Sequence, residues 1–182
     1  DKGELSQSTY ASLKYEVYDD YLEAAQKGIY VGSGMCVVKR SIFEDIGGFA
    51  KENINLEDHD FALNLGTKPN FVFVNSPVMV RVRDHDQRAS GNENLSFAGI
   101  NIIIEKEVRN KYPGGRERQD ARQFIIAQHA RSVTFSILQS KKNVTHAWKI
   151  YKKTLSWQIA NQKWKFVIVA PVLILYNALF HE

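Results

Sequence analysis

The spacing of apolar positions predicts helix in the first 28 residues, β segments in the middle, and helix alone after Asn92. "STYASLKYEVYDDYLEAAQKG" reads as one helix, with Ser8 or Thr9 as N-cap and Gly28 as its stop. "IYVGSGMCVVKR" reads as strand, glycine-containing turn or bulge, and strand. In "RSIFEDIGGF" a short helix is expected, since Ser41 and Glu44 have capping-box spacing and Gly47-Gly48 ends it. The next helix is expected from near Asn55 to Gly66, with Phe61, Leu63 and Leu65 available for burial. "NFVFVN" and "VMVRVR" follow as β segments around Pro77, with Arg81 and Arg83 alternating with Val80 and Val82.

The rest of the chain carries the helical period. "NLSFAGINIIIEKEVRNKY" stops at Pro113-Gly114-Gly115, "RQDARQFIIAQHARSVTFSILQ" is a second long amphipathic segment, and the remainder runs to Phe180. Its apolar run Phe166 to Phe180 contains Pro171 and Asn177 and falls short of the roughly 20 residues that a membrane span needs. Trp148, Trp157 and Trp164 lie among Lys149, Lys152, Lys153, Lys163 and Lys165, which suits an interfacial helix; a core-packed terminal helix suits the pattern equally.

Composition narrows the class. With 182 residues and 44% apolar content the chain can bury a real core and is not globally disordered. A single cysteine, Cys36 in "GMCVVK", excludes an internal disulfide framework and a cysteine zinc site. The net charge of +4 is uneven. Residues 1–90 hold 10 Lys/Arg against 14 Asp/Glu, and residues 91–182 hold 14 against 6. The basic rear could face phosphates or an anionic membrane, or be a solvated helical surface. Nucleic acid is not an expected partner. The first residue is Asp, with no charged-then-apolar leader behind it, so a processed product or a piece of a longer protein is expected.

The candidate chemistry sits in two triplets, Asp58-His59-Asp60 after Glu57, and Asp84-His85-Asp86. A metal cluster is one reading, and with it a metal-dependent hydrolase. Against it, His59 and Asp60 would lie about 100° apart on a helix, and no histidine pair at i and i+4 occurs. In a helix starting near Asn55, Glu57 and Asp58 occupy the first turn, where free N–H groups and the helix dipole favour carboxylates.

"VGSGMCVVKRSIFEDIGGFAKENINLEDHDFALNLG" resembles the second half of the catalytic domain of family-2 glycosyltransferases of the GT-A fold. The matching pieces are Gly32-Ser33-Gly34, Lys39-Arg40, Gly47-Gly48-Phe49, and Glu57-Asp58 followed by Asp60 and Leu63. Arg83-Asp84-His85 with Ser90 matches the Arg-x-His motif that follows a proline-containing strand in that family. The resemblance covers about residues 29–92.

It implies an α/β fold: a partial GT-A (nucleotide-diphospho-sugar transferase) unit over 29–92, preceded by a helix in 1–28 and followed by a helical extension over 93–182. It also implies transfer of a sugar from a nucleotide-sugar donor to a glycan or lipid-linked acceptor hydroxyl, with inversion. Asp58 would be the general base and Glu57 its acceptor-binding neighbour. Gly32, Ser33 and Gly34 would let backbone approach a substrate, and Arg83 and Arg88 would hold the diphosphate. His85 would ligate Mn²⁺ or Mg²⁺, or bind a diphosphate oxygen directly. The tail resembles extensions used against the cytoplasmic face of the membrane, which implies a cytoplasmic enzyme with peripheral membrane contact. A non-catalytic membrane-peripheral module is the remaining alternative.

The departure from the family is the missing nucleotide-binding half, which should end in an Asp-x-Asp motif ahead of Gly32. The adjacent pair Asp19-Asp20 is a poor substitute, being expected mid-helix. The isolated chain is therefore expected to be inactive.

Overall fold

The computed structural model describes residues 12–32, 34–52, 54–78, 80, 92–140 and 143–180. Its first element corrects the sequence expectation. Among the described residues of that stretch Lys14–Tyr18 (β1) is a strand and only Tyr21–Gln26 (α1) is helix, while the N-cap candidates Ser8 and Thr9 lie outside the described residues. Tyr15 and Val17 alternate with Lys14 and Glu16, the β-favouring pattern. A partner is available: Phe71–Ser76 (β2) pairs antiparallel, setting Tyr15 opposite Val74 and Val17 opposite Val72. Long-range pairing thus overrides a local helical reading. Asp19-Asp20 follows a strand instead of lying mid-helix, and Asp20 caps α1 by accepting the Glu23 N–H at 2.9 Å. Gly28 stops the helix as expected, at φ +88°.

Residues 29–39 form no strand among those described, correcting the strand–turn–strand expectation. Val31 and Cys36 pack against the helical core instead of pairing with other backbone. A turn closes where the Met35 N–H donates to the Gly32 carbonyl at 2.9 Å. Arg40–Asp45 (α2) is the predicted short helix. Its N-cap, however, is Lys39 without a side-chain bond, and Glu44 pairs with Arg40, so the Ser41–Glu44 capping box does not form. Glu57–Leu65 (α3) matches its prediction closely, with Phe61 and Leu63 fully buried and Leu65 half-buried. Of the predicted second β segment, Val80 is not in a strand and Arg81 to Arg83 lie outside the described residues.

Helix alone follows Asn92, as predicted: Glu93–Val108 (α4), Gln119–Ser140 (α5), Val144–Ala160 (α6) and Trp164–Phe180 (α7). The central helix is α5, against which α1, α4, α6 and α7 all pack. One apolar cluster runs from Tyr21 and Leu22 in α1, through Leu63 in α3 and Ile100, Ile103 and Ile104 in α4, to Ile174 in α7. Each such side chain contributes about 1.5–3 kcal/mol by leaving water.

Polar locks fix the helices within that core. Arg122 and Glu107, both with no exposed surface, bond at 2.7 Å, and Arg122 also donates to the Pro113 and Gly115 carbonyls. Gln158 of α6 donates to the Ala127 carbonyl at 2.9 Å and accepts from Arg131 at 2.8 Å, both on α5. Trp157 is buried in the same seam, correcting its place in an interfacial set, whereas Trp148 and Trp164 are exposed.

The architecture is thus mixed α and β, dominated by helices, with a single two-stranded antiparallel sheet among the described residues. None of the described helices is long and apolar enough to cross a membrane.

Candidate functional site

Backbone packing at one glycine sets the position of the α3 N-terminus. A Cβ at Gly99 of α4 would overlap the Asn55 carbonyl oxygen and stand 2.9 Å from its carbon, so the loop ahead of α3 lies directly on α4. Asn55 is tied down there. Its N–H donates to the Leu95 carbonyl at 3.3 Å, and Nδ2 donates to Ser96 Oγ at 2.8 Å and the Asn92 carbonyl at 3.2 Å. Leu56 then adopts φ +70°, and α3 begins at Glu57.

That turn forms one wall of an open pocket of 330 Å³. Asn55, Leu56, Glu57, Asp58 and His59 line it from the loop and the first turn of α3, Ser96 from α4, and Ser132, Val133 and Ser136 from α5. Glu57 and Asp58 are therefore brought together where the sequence placed them, at a helix start, with hydroxyl groups of two other helices facing the same space. Asp58 Oδ1 accepts the His59 N–H at 2.8 Å. Gly32 backs onto the same carboxylate, since a Cβ there would stand 3.8 Å from Asp58 Oδ2. Gly34 lies in open space. Ser33, Arg83, His85, Arg88 and Ser90 lie outside the described residues.

The triplet Asp58-His59-Asp60 does not converge on one ligand. Asp60 points into the core, where Lys106 bonds its carboxylate at 2.7 and 2.8 Å and Tyr112 at 2.6 Å. Among the described residues no three of His, Cys, Asp and Glu are grouped to hold a metal ion. They do not by themselves fit the divalent cation that the resemblance implies. Asp20 is likewise committed, since Arg118 bonds both its oxygens at 2.6 Å.

Behind the pocket lies an aromatic cluster that sequence reasoning passed over. The His59 and His129 rings lie against each other at a 32° tilt with centroids 3.8 Å apart, and Tyr30 meets His129 edge-on at 5.1 Å. Burial holds His59 below the ordinary histidine range, opposed by the Asp58 and Glu57 carboxylates. Burial, with help from His59 and Arg131, pushes His129 down to about 3. The His129 ring is thus neutral at pH 7. The Cys36 thiol is raised by burial and by the Asp58 charge, leaving it a poor nucleophile.

The helix α5 contribution had a signal in the sequence. His129, Ser132 and Ser136 are spaced i, i+3 and i+7 in "HARSVTFS", which puts them on one face of the helix. No family model, no curated protein and no solved structure matches the chain.

Proposed function

We propose that the chain is the acceptor-side part of an inverting glycosyltransferase, with Asp58 as general base. The observation that carries this reading is the Asp58 carboxylate at the amino end of α3, on the wall of an open pocket lined by Asn55, Ser96, Ser132 and Ser136. Hydroxyl groups such as those of Ser132 and Ser136 suit a polyhydroxylated acceptor, whereas Asn55 and Ser96 bond each other and hold the wall in place. As the acceptor oxygen forms its bond to the anomeric carbon, the bond to the nucleotide diphosphate breaks and the diphosphate leaves with the electron pair. The acceptor proton passes to Asp58. Glu57, one residue earlier, is suited to hold a neighbouring hydroxyl. In this reading the work is done in the cytoplasm, at the inner face of the membrane.

A second observation supports the expectation of a nucleotide-binding half. The ribbon of β1 and β2 turns Tyr15, Val17, Val72 and Val74 to solvent on one face, an apolar surface on which further sheet structure could rest.

The test is Asp58→Asn in an enzyme joining this chain to a nucleotide-binding half. Transfer from the nucleotide sugar should fall by a factor of about 10³ or more, while nucleotide affinity stays within twofold, since general-base catalysis contributes roughly 10²–10⁴. Near-wild-type turnover would remove Asp58 from the chemistry.

A further inference from the structure

The helix α7 is buried along one side only. Phe166, Ala170, Ile174 and Asn177 face the core. Trp164, Ile168, Val172, Leu175 and Leu179 fall within about 80° of one another on the opposite side at 100° per residue. They are exposed at 53, 64, 61, 63 and 76% respectively. The stripe runs the length of a 17-residue helix, about 25 Å at 1.5 Å per residue. Water is a poor neighbour for a continuous apolar face of that length.

Charge identifies the occupant. Residues 143–180 contain Lys149, Lys152, Lys153, Lys163 and Lys165 and no Asp, Glu or Arg. Lys165 adjoins Trp164 at the edge of the stripe, and Lys152 stands 5.7 Å over the exposed Trp148 ring. Lys153 is already paired with Glu105 at 3.3 Å, but a second copy docking the same face would bring Lys152, Lys163 and Lys165 against their own counterparts. A phospholipid surface offers what the face lacks, acyl chains for the stripe and anionic headgroups for the lysines. The helix is too short and too one-sided to span, and the exposed indole beside lysines is the composition of an interfacial helix.

We propose that α7 lies in the plane of an anionic membrane surface, inserting Trp164, Ile168, Val172, Leu175 and Leu179 between headgroups with the flanking lysines on the phosphates. The proposal is independent of the glycosyltransferase reading, because it uses no residue of the pocket.

The test is flotation of the full chain with vesicles of phosphatidylcholine alone or mixed with phosphatidylglycerol. The chain should float with the mixed vesicles, bind neutral ones at least tenfold more weakly, and be released by salt. Leu175→Asp should weaken partition about tenfold or more, the loss expected when an apolar side chain worth about 1.5–3 kcal/mol no longer buries. Lys152→Glu with Lys165→Glu, changes at two exposed lysines, should abolish the preference for anionic vesicles. The proposal is overturned if the chain stays unbound with both vesicle types. Equal binding to neutral and anionic vesicles would also overturn it, as would a dimer, lost in Leu175→Asp, that ignores lipid.

Discussion

The Tyr151 hydroxyl of α6 donates to the Val167 carbonyl of α7 at 2.9 Å. Val167 is four residues before Pro171, which has no N–H, so the helix cannot supply that carbonyl's usual partner. The tyrosine substitutes for the missing bond and ties α7 to α6 at the same point. Tyr151→Phe should therefore destabilise the chain by about 1–3 kcal/mol, the cost of an unsatisfied buried carbonyl. Adding Pro171→Ala should recover most of that loss by restoring the helical donor. Denaturant melts of the two single variants and the double variant check this; simple additivity would sink it.

Two acids in one helical turn, Asp58 and Asp60, should behave in opposite ways. Asp60 is buried and bonded to Lys106 and Tyr112, so Asp60→Asn should cost about 2–3 kcal/mol of stability, allowing for the partly exposed lysine. Asp58 lies in the same first turn but on the pocket wall, where its favourable contact with the helix dipole is worth about 0.3–1 kcal/mol. Asp58→Asn should thus change the melting midpoint little. Comparable losses in both variants would contradict this division between structural and surface carboxylates.

That division shows what the sequence could and could not disclose. Glu57 and Asp58 at a helix start followed from the apolar spacing of Phe61 and Leu63 and from Gly66 beyond them. The inward turn of Asp60 did not follow, because its partners Lys106 and Tyr112 are more than forty residues away. The same holds for β1. "KYEVY" carries a strand pattern, but only the distant β2 decides between strand and the helix that its neighbours suggest. Local period was enough for α3, α4 and α5, where each element buries its own stripe, but it left the last stretch undivided where the fold has two helices, α6 and α7. It failed in 29–39, where Val31 is buried and Cys36 packs half-buried against the core without strand pairing.

Acid should unfold the chain partly through His129. Its folded value of about 3 lies below the ordinary 6.5. The unfolded state therefore binds more protons between these limits, and stability falls as pH drops through that window. Tyr30, His59 and Arg131 are the groups facing it, and none offers a carboxylate to accept the new charge. The loss should reach a few kcal/mol, at about 1.4 kcal/mol per unit. His129→Leu should flatten the dependence of the melting temperature on pH below 6.5. An unchanged slope would assign acid unfolding to other groups.

Gly99→Ala should cost about 2–3 kcal/mol, because the added methyl meets backbone and not a side chain that can turn away. The displaced atoms belong to Asn55, so the pocket should deform along with the fold. Amide hydrogen exchange on α3 reads this directly, and faster exchange at the first turn is the expected result. Protection equal to wild type would show that α4 yields instead.

The contact between Gly99 and Asn55 has a consequence for anyone scoring variants of this chain by activity. Position 99 touches no pocket space and carries no side chain, yet almost any substitution there would shift the carboxylate of Asp58. A mutational scan would rank this glycine beside the residues that handle substrate, and a search for chemistry at position 99 would find none. Its contribution is a dimension, the distance between two stretches of main chain, and that can be lost but not chemically replaced.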